Sequence, residues 1–475
     1  ADDEPQLLER YGKYGRTLPL STSRSASPWG QSDVEPELIL PHIRGRALRG
    51  GGSAFCRLAD SSAAREFCEQ GARARKWPRT LRSALHLQHA PLRIASTIHA
   101  GNNGPGVDLS SVETEWSNRT ETPRVITVPG LGCVCVGETY DQTIAIQEVL
   151  EQYLAFAPAS YSPYAPDEAF LRRLCNLITI ANAKAERGET DRLAARGCEE
   201  GLAVDPNVRN KVVVVTGGSQ GFGERFVRNF AVSGAVVVIA DINQAGARSL
   251  AQKLNTESGR TAVTCLRTDV ADETSVVGLS RFLAVTFGGV DIFVSNAGVV
   301  KAGSVLEFDL SDIQRITSVN YDGFFLCVKH VSRLMKHQNA SAGNHTSDIV
   351  QINSKSGLSG SARNGPYAGS KFGSIGLVQS FALELAEYGI KVNAVCPGNY
   401  LDGPLWCDPE NGVFVQYLRA GKVPGARTIA DVRHAYETKV PMRRGCSGED
   451  VVKALYYLVH QQYETGQAVP VTGGQ

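Results

Sequence analysis

The C-terminal half of the chain reads as an α/β domain built on a doubly wound parallel sheet of seven strands. Three features predict it. From Lys211 onward β-branched runs alternate with amphipathic helical stretches, turn residues separate each pair, and the first run leads through a glycine-rich turn into a helix. In chain order the strands are expected at Val212 to Thr216, Ala235 to Asp241, Ala262 to Arg267, Ile292 to Ser295, Ile349 to Ile352, Lys391 to Cys396 and Ala468 to Val471. Helices between successive strands cover both faces of such a sheet, which makes it Rossmann-type.

The N-terminal half is less regular. Arg44, Arg46 and Arg49 surround Gly50-Gly51-Gly52, then Arg73, Arg75, Lys76 and Arg79 follow, and no clear elements emerge there. Apolar runs from Arg124 to Pro129 and Cys133 to Gly137 flank a glycine turn, so a hairpin is expected, followed by a helix from Thr143 to Phe156. Ala157 to Pro166 carries Pro158, Pro163 and Pro166 and cannot continue that helix. It reads as a linker, with a second helical stretch from Glu168 to Arg187 bridging onward. The expected division is an N-terminal α/β domain at 1–156, a linker with a helix at 157–208, and the parallel-sheet domain at 209–475.

Bulk properties bound the function. At 475 residues more than one core is expected. The 49 Lys and Arg nearly cancel the 48 Asp and Glu, which leaves no global field to draw nucleic acid or an anionic membrane, although a local cation cluster for a small anion remains open. The 11 cysteines are scattered, and Cys133 and Cys135 form the only close pair, so neither zinc spacing nor a dense disulfide framework is visible. No apolar run reaches the roughly 18 residues of a membrane span, and the acidic start does not read as an export signal. A soluble, cytoplasmic protein with reduced thiols is the expectation.

The first strand ends in Thr216-Gly217-Gly218-Ser219-Gln220-Gly221-Phe222-Gly223, and a helix through Val227 and Phe230 follows directly. Glycines at Gly217, Gly221 and Gly223 let the backbone turn sharply and approach a pyrophosphate, whose charge is met by free N–H groups at the helix start. Ser219, Gln220 and Phe222 complete the expected phosphate loop. A tight strand-to-helix turn is the plainer reading of the glycines alone; the strand and helix around them favour a dinucleotide. Asp241, ending the second strand, suits the hydroxyls of an adenosine ribose and would repel a 2′-phosphate, so NAD is expected over NADP. Asp269 and Val270 follow the third strand and are placed near adenine; Asn296, Ala297 and Gly298 follow the fourth and are placed along the cleft. Turn and cap roles stay open for all of these.

Tyr367 and Lys371 stand at i and i+4 on one expected helix and so share a face. A free tyrosine, with a pKa of about 10, is a poor base at neutral pH, but a neighbouring ammonium and an oxidised nicotinamide both favour phenolate. Tyr367 is therefore the candidate general acid/base. Ser354, just after the fifth strand, can bring its hydroxyl to the same reacting oxygen, and Asn320 can hold a water that relays protons from Lys371 or simply satisfy a local backbone group.

With these residues in order, positions 211 to 475 resemble the short-chain dehydrogenase/reductase family. Asn296-Ala297-Gly298 and Pro397-Gly398 fall in place, while Ser295 stands where the family usually has Asn. The resemblance implies Tyr367 as acid/base, Ser354 orienting the substrate oxygen, Lys371 gripping the nicotinamide ribose and lowering the Tyr367 pKa, and Asn320 supporting the relay. It places Tyr367, Lys371, Pro397 and Gly398 on the cofactor and implies a homodimer or homotetramer formed through the helices near Asn320 and Tyr367.

Local stretches are more particular. Gln351 to Gly357, Gly373 to Ser380, Lys439 to Cys446 and Val471 to Gln475 are similar to bacterial sorbitol-6-phosphate 2-dehydrogenases. That similarity implies NAD-dependent oxidation of D-sorbitol 6-phosphate to fructose 6-phosphate and a substrate lid within 399–440. A phosphate of up to about two negative charges needs cations, and Lys355, Arg363, Arg443 and Arg444 are the candidates. Pro123 to Gly132 with Val136-Gly137 resembles the end of a class II aldolase domain. His86, His89 and His99 lack the spacing of its zinc ligands, so a degenerate domain without metal is expected. Two alternatives remain: a bifunctional protein with a metal-dependent aldolase half, and a dehydrogenase for another polyol or hydroxy substrate.

Overall fold

The computed structural model describes residues 36–49, 53–59, 64, 68, 92–93, 98–101, 104–107, 124–128, 131–156, 202 and 204–475. The linker at 157–166, the helix expected from Glu168 to Arg187, and His86 and His89 lie outside them.

Seven strands form one parallel sheet: β7 (Val212–Thr216), β8 (Val236–Asp241), β9 (Val263–Arg267), β10 (Ile292–Ser295), β11 (Ser347–Ile352), β12 (Ile390–Pro397) and β13 (Ala468–Val471). Their order is β13-β12-β11-β10-β7-β8-β9. The chain lays strands to one side of β7, crosses back to β10, then builds to the other, so β7 and β10 are neighbours at a topological switch. Period-two alternation sends Val212 and Val214 to one face and Val213 and Val215 to the other, and each set joins a separate core. One core packs against α5 (Glu273–Phe287), α7 (Gly323–Ala342) and α8 (Gly365–Leu385). The other packs against α3 (Gly221–Val232), α4 (Gln244–Ser258) and α12 (Gly448–His460). Every strand predicted here is found. β11 starts earlier than expected because its polar first residues are paired: Ser347 donates to Asn339 at 3.0 Å, and Asp348 lies 2.9 Å from the Lys391 ammonium on β12.

The predicted hairpin is also present, as β5 (Val125–Val128) and β6 (Gly132–Gly137) in antiparallel register. The helix after it, α2 (Tyr140–Phe156), starts earlier than the apolar spacing suggested because the Thr139 hydroxyl caps the Gln142 N–H at 3.1 Å. β1 (Phe55–Ala59) pairs with β6, and the two-residue β2 (Leu92–Arg93) with β5, giving a four-stranded sheet. His99 lies on β3 (Ile98–Gly101), which pairs with β4 (Gly104–Val107).

An unpredicted helix, α1 (Pro36–Leu48), joins the two halves. Ile39, Leu40 and Ile43 enter a core with Cys56 and Leu58 of β1, Val134 of β6 and Val285 of α5. Gly45 lets α1 approach α7 closely, since a Cβ there would strike the Gln338 carbonyl oxygen. Next to it Arg44, only 1% exposed, donates through Nη2 to Asp291 at 2.7 Å, through Nη1 to Gln338 at 2.7 Å and through Nε to the Ala54 carbonyl at 2.7 Å. Asp291 also accepts from the Val212 N–H at 2.7 Å, which ties the network to the start of β7. Burial alone would raise the Asp291 carboxyl, but the Arg44 guanidinium, with help from His345 and Lys211, holds it well below the usual carboxylate range.

Removing one partner of a buried pair strands the other charge, so Arg44→Met is expected to destabilise the protein by about 3–5 kcal/mol. Because the folded carboxyl is depressed, this contribution is complete above about pH 4 and fades only as the pH falls further. Thermal denaturation of the wild type and variant at pH 7 checks it; superimposable curves would show that the network carries no stability.

Candidate active site

A cavity of about 610 Å³ opens at the C-terminal ends of the strands, beside the β7–β10 switch. Gly217, Gln220, Gly221, Phe222, Asp241, Asp269, Val270, Asn296, Ala297, Gly298, Ser354, Tyr367, Lys371, Pro397 and Gly398 line it. Ser219 and Gly223 support it from behind. The Ser219 N–H donates to the Asp241 carboxylate at 2.9 Å, and a Cβ on Gly223 would strike the Gly217 carbonyl oxygen.

The glycine turn takes its shape from the strand ends. Gly217 has φ +61°, and a Cβ on it would come within 2.9 Å of the Ala297 Cα. The Thr216 hydroxyl accepts from the N–H groups of Asn296 at 2.9 Å and Ala297 at 3.1 Å, while the Asn296 amide donates to the carbonyls of Thr216 at 3.0 Å and Gly217 at 2.9 Å. The turn leads straight into α3, whose first residues, Gly221 and Phe222, line the cavity. The narrow glycine path, the helix start and the Asp241 carboxylate at the end of β8 together fit a dinucleotide.

Lys371 is buried, and its Nζ donates to the Ile352 carbonyl at 3.0 Å and lies 5.8 Å from the centre of the Tyr367 ring. Burial lowers this ammonium to a pKa of about 8, against an opposing pull from Cys396. Burial raises the Tyr367 phenol, and a hydrogen bond with the Ser354 hydroxyl opposes the rise. The expected lowering of Tyr367 is thus not found, because burial outweighs the Ser354 hydrogen bond. Ser354 is itself fixed: its Oγ accepts from the Ser356 N–H at 3.1 Å and its N–H donates to Asn353 at 2.8 Å.

Asn353, missed in the sequence, also donates to the Lys371 carbonyl at 3.1 Å and so ties the end of β11 to α8. Asn320 sits in a π-helical turn, Ser318–Asp322. Both ends of its side-chain amide are taken, by the Val299 N–H at 2.8 Å, the Val299 carbonyl at 2.9 Å and the Ser370 hydroxyl at 3.1 Å. Its side chain therefore pins the loop after β10 against α8.

The segment expected to form a lid is a helical cap of α9 (Pro404–Cys407), α10 (Val413–Arg419) and α11 (Ile429–Lys439). It has its own small core, in which Trp406 meets Phe414, Tyr417 and Tyr436. Trp406 and Tyr417 line the cavity, and Tyr400 stacks on Phe222 at 4.5 Å. None of the four candidate phosphate cations reaches the cavity lining. Arg444 is held by both carboxylate oxygens of Asp450, at 2.6 and 3.0 Å, Arg443 donates to the Thr438 carbonyl at 2.7 Å, Arg363 donates to the Ala420 carbonyl, and Lys355 to the Gln475 side chain.

A family profile described as short chain dehydrogenase matches residues 211–404. The chain is 39% identical over 269 residues to sorbitol-6-phosphate 2-dehydrogenase of Escherichia coli K12, covering 56% of this chain and 98% of that protein. The chain belongs to the short-chain dehydrogenase family. Its dehydrogenase half is similar to the crystal structure of sorbitol-6-phosphate 2-dehydrogenase from Erwinia amylovora, with 38% identity and a TM-score of 0.51 over 55% of this chain and 98% of that one. It is also 34% identical over 267 residues to cis-4-hydroxycyclohexanecarboxylate dehydrogenase of Sinomonas cyclohexanicum, covering 56% of this chain and 96% of that protein. Short-chain dehydrogenases use NAD(P) to oxidise or reduce at an alcohol carbon, and this chain is an oxidoreductase of that kind.

Gly223→Ala is expected to disturb the phosphate loop while leaving the sheet intact. Overpacking of this kind costs about 1–3 kcal/mol, so the Kd for NADH, read by its fluorescence, rises about tenfold or more. A Kd within twofold of wild type, at an unchanged circular dichroism spectrum, would mean that the turn tolerates the methyl group.

Proposed function

We propose that the protein oxidises D-sorbitol 6-phosphate to fructose 6-phosphate with NAD, and catalyses the reverse reduction. The observation that carries the substrate is the 39% identity running through 98% of a relative that bears this activity in its name. Tyr367, Ser354 and Lys371 supply the chemistry. The Tyr367 oxygen takes the proton from the substrate hydroxyl, and the Ser354 hydroxyl, already bonded to Tyr367, donates to the same substrate oxygen. Lys371, kept in place by the Ile352 carbonyl, stabilises the phenolate with its positive charge. A nicotinamide cofactor held along Gly217, Tyr367 and Lys371 would supply the acceptor for the hydride of the alcohol carbon. In reduction Tyr367 returns the proton to the carbonyl oxygen.

Asp241 supports the choice of NAD. Its carboxylate accepts from the N–H groups of Ser219 at 2.9 Å and Asn243 at 2.8 Å, which fixes a negative charge on the cavity wall at the end of β8. A ribose 2′-phosphate would meet that charge, whereas a 2′-hydroxyl can donate to it. Asp241→Ala is expected to lower the ratio of kcat/KM for NAD over NADP by about tenfold or more, the scale of one lost charge-assisted hydrogen bond and one relieved repulsion. An unchanged ratio would remove Asp241 as the discriminating group.

Following NADH by absorbance, turnover is expected with D-sorbitol 6-phosphate and not with sorbitol or mannitol 1-phosphate. Tyr367→Phe should lower kcat by about a hundredfold to ten-thousandfold. Lys371→Met should move the rising limb of the oxidation rate to higher pH, because the lost ammonium no longer favours phenolate. Turnover of sorbitol alone would refute the phosphate, and a fully active Tyr367→Phe would refute the acid/base role.

A further inference from the structure

We propose that Lys355, Lys422 and Lys439 together form the seat for the substrate's phosphate, outside the lining of the catalytic cavity, where the turn after Ser354 meets the helical cap. The assignment rests on the reading of the substrate as a phosphorylated polyol. Its evidence is the convergence of three cations from three separate segments. Lys355 directly follows the catalytic Ser354 and is half-buried. Lys422 follows α10, is also half-buried, donates from Nζ to the Ser361 hydroxyl at 3.2 Å and lies 3.9 Å from the centre of the Tyr417 ring. Lys439 ends α11, with its Nζ 5.2 Å from the centre of the Tyr436 ring. Tyr417 and Tyr436 stack at 5.3 Å, and Tyr417 lines the catalytic cavity, so the tyrosine pair carries two of the ammonium groups on the cap side of the site.

The three charges feel one another. Burial first, then Lys439, lowers Lys355 to a pKa of about 8; burial first, then Lys439 and Lys355, does the same to Lys422. Among the described residues none of the three has a carboxylate partner: Lys355 donates to the Gln475 amide oxygen and Lys422 to a hydroxyl, both neutral. Two of the three, Lys355 and Lys422, are half-buried and Lys439 is exposed; like charges brought together without a counterion repel, and a dianion removes that repulsion while accepting from each ammonium. The three arginines that flank this region are already occupied, Arg444 by a carboxylate and Arg363 and Arg443 by backbone carbonyls. On the cap side of the site the lysines are left to meet an anion, and their place near Ser354 and Tyr417 sets that anion at the far end of a substrate whose hydroxyl lies at Tyr367.

The test uses the full-length protein saturated with NADH and titrated with fructose 6-phosphate and, separately, with inorganic phosphate by calorimetry, beside turnover of D-sorbitol 6-phosphate and sorbitol. In Lys422→Gln and Lys439→Gln the Kd for both phosphates is expected to rise about tenfold or more, as for a lost charge-assisted hydrogen bond, with partial recovery in Lys422→Arg. The preference for phosphorylated over unphosphorylated sorbitol should narrow by the same factor. Turnover of sorbitol 6-phosphate with both Kd values within twofold of wild type in the variants would overturn the lysine seat and leave the substrate reading standing. Loss of inorganic phosphate binding in the variants of an enzyme that turns over no sugar phosphate would do the reverse. Wild-type protein that binds neither phosphate would overturn both, and unchanged melting temperatures separate each case from misfolding.

Discussion

The adjacency of β7 and β10 is the constraint on which the rest of this structure depends. They are neighbours in the sheet but far apart in the chain, and the connections leaving their C-terminal ends diverge, which opens the cavity. Both ends of the pair are pinned by side chains as well as by the sheet. At the cavity end, the Thr216 hydroxyl gathers the N–H groups of Asn296 and Ala297. At the far end, Asp291 accepts the Val212 N–H and the Arg44 guanidinium. The N-terminal half thus contributes to the foundation of the sheet on the side opposite the chemistry.

The catalytic face shows how burial and charge divide the work. Desolvation lowers Lys371 to a pKa of about 8 and raises Tyr367, so at neutral pH the lysine keeps its charge beside a neutral phenol. In the proposed reaction an oxidised nicotinamide held beside Tyr367 would add positive charge there and favour the phenolate. Ser354 and Asn353 fix the geometry meanwhile, through bonds that do not depend on the cofactor.

Much of the dehydrogenase half was legible in the sequence because its signals are local. Buried parallel strands read as valine runs, the glycine turn has a fixed spacing, and Tyr367 and Lys371 sit one helical turn apart. What remained hidden has its cause far along the chain. Helix α1 carries Arg44 and Gly45 where an apolar stripe would be expected, and both make sense only against α7 and Asp291, which lie far downstream. Asn353 and Thr216 look like ordinary polar residues until their partners on other segments are known. For Asn320 the sequence pointed to the right place but suggested a freer side chain than the one found pinned between Val299 and Ser370.

The cations illustrate the same limit at finer grain. Sequence position singled out Arg443 and Arg444 because they follow a motif, yet an arginine is informative about an anion only if its donors are unspent, and Asp450 has taken those of Arg444 to cap α12. Lys422 lies outside the stretches that carry the resemblance, and Lys439 opens one of them without standing out as a candidate for the anion. A cap folded around its own aromatic core brings them together: Trp406 packs on Tyr417 and Tyr436, the two tyrosines stack, and each presents a ring to one lysine. Packing of apolar rings, far from any charge motif, decides where the positive charge falls. The specificity of such a cap follows from its core as much as from the residues at its edge, so lid sequences with different charges but the same aromatic frame would keep the geometry and change the ligand.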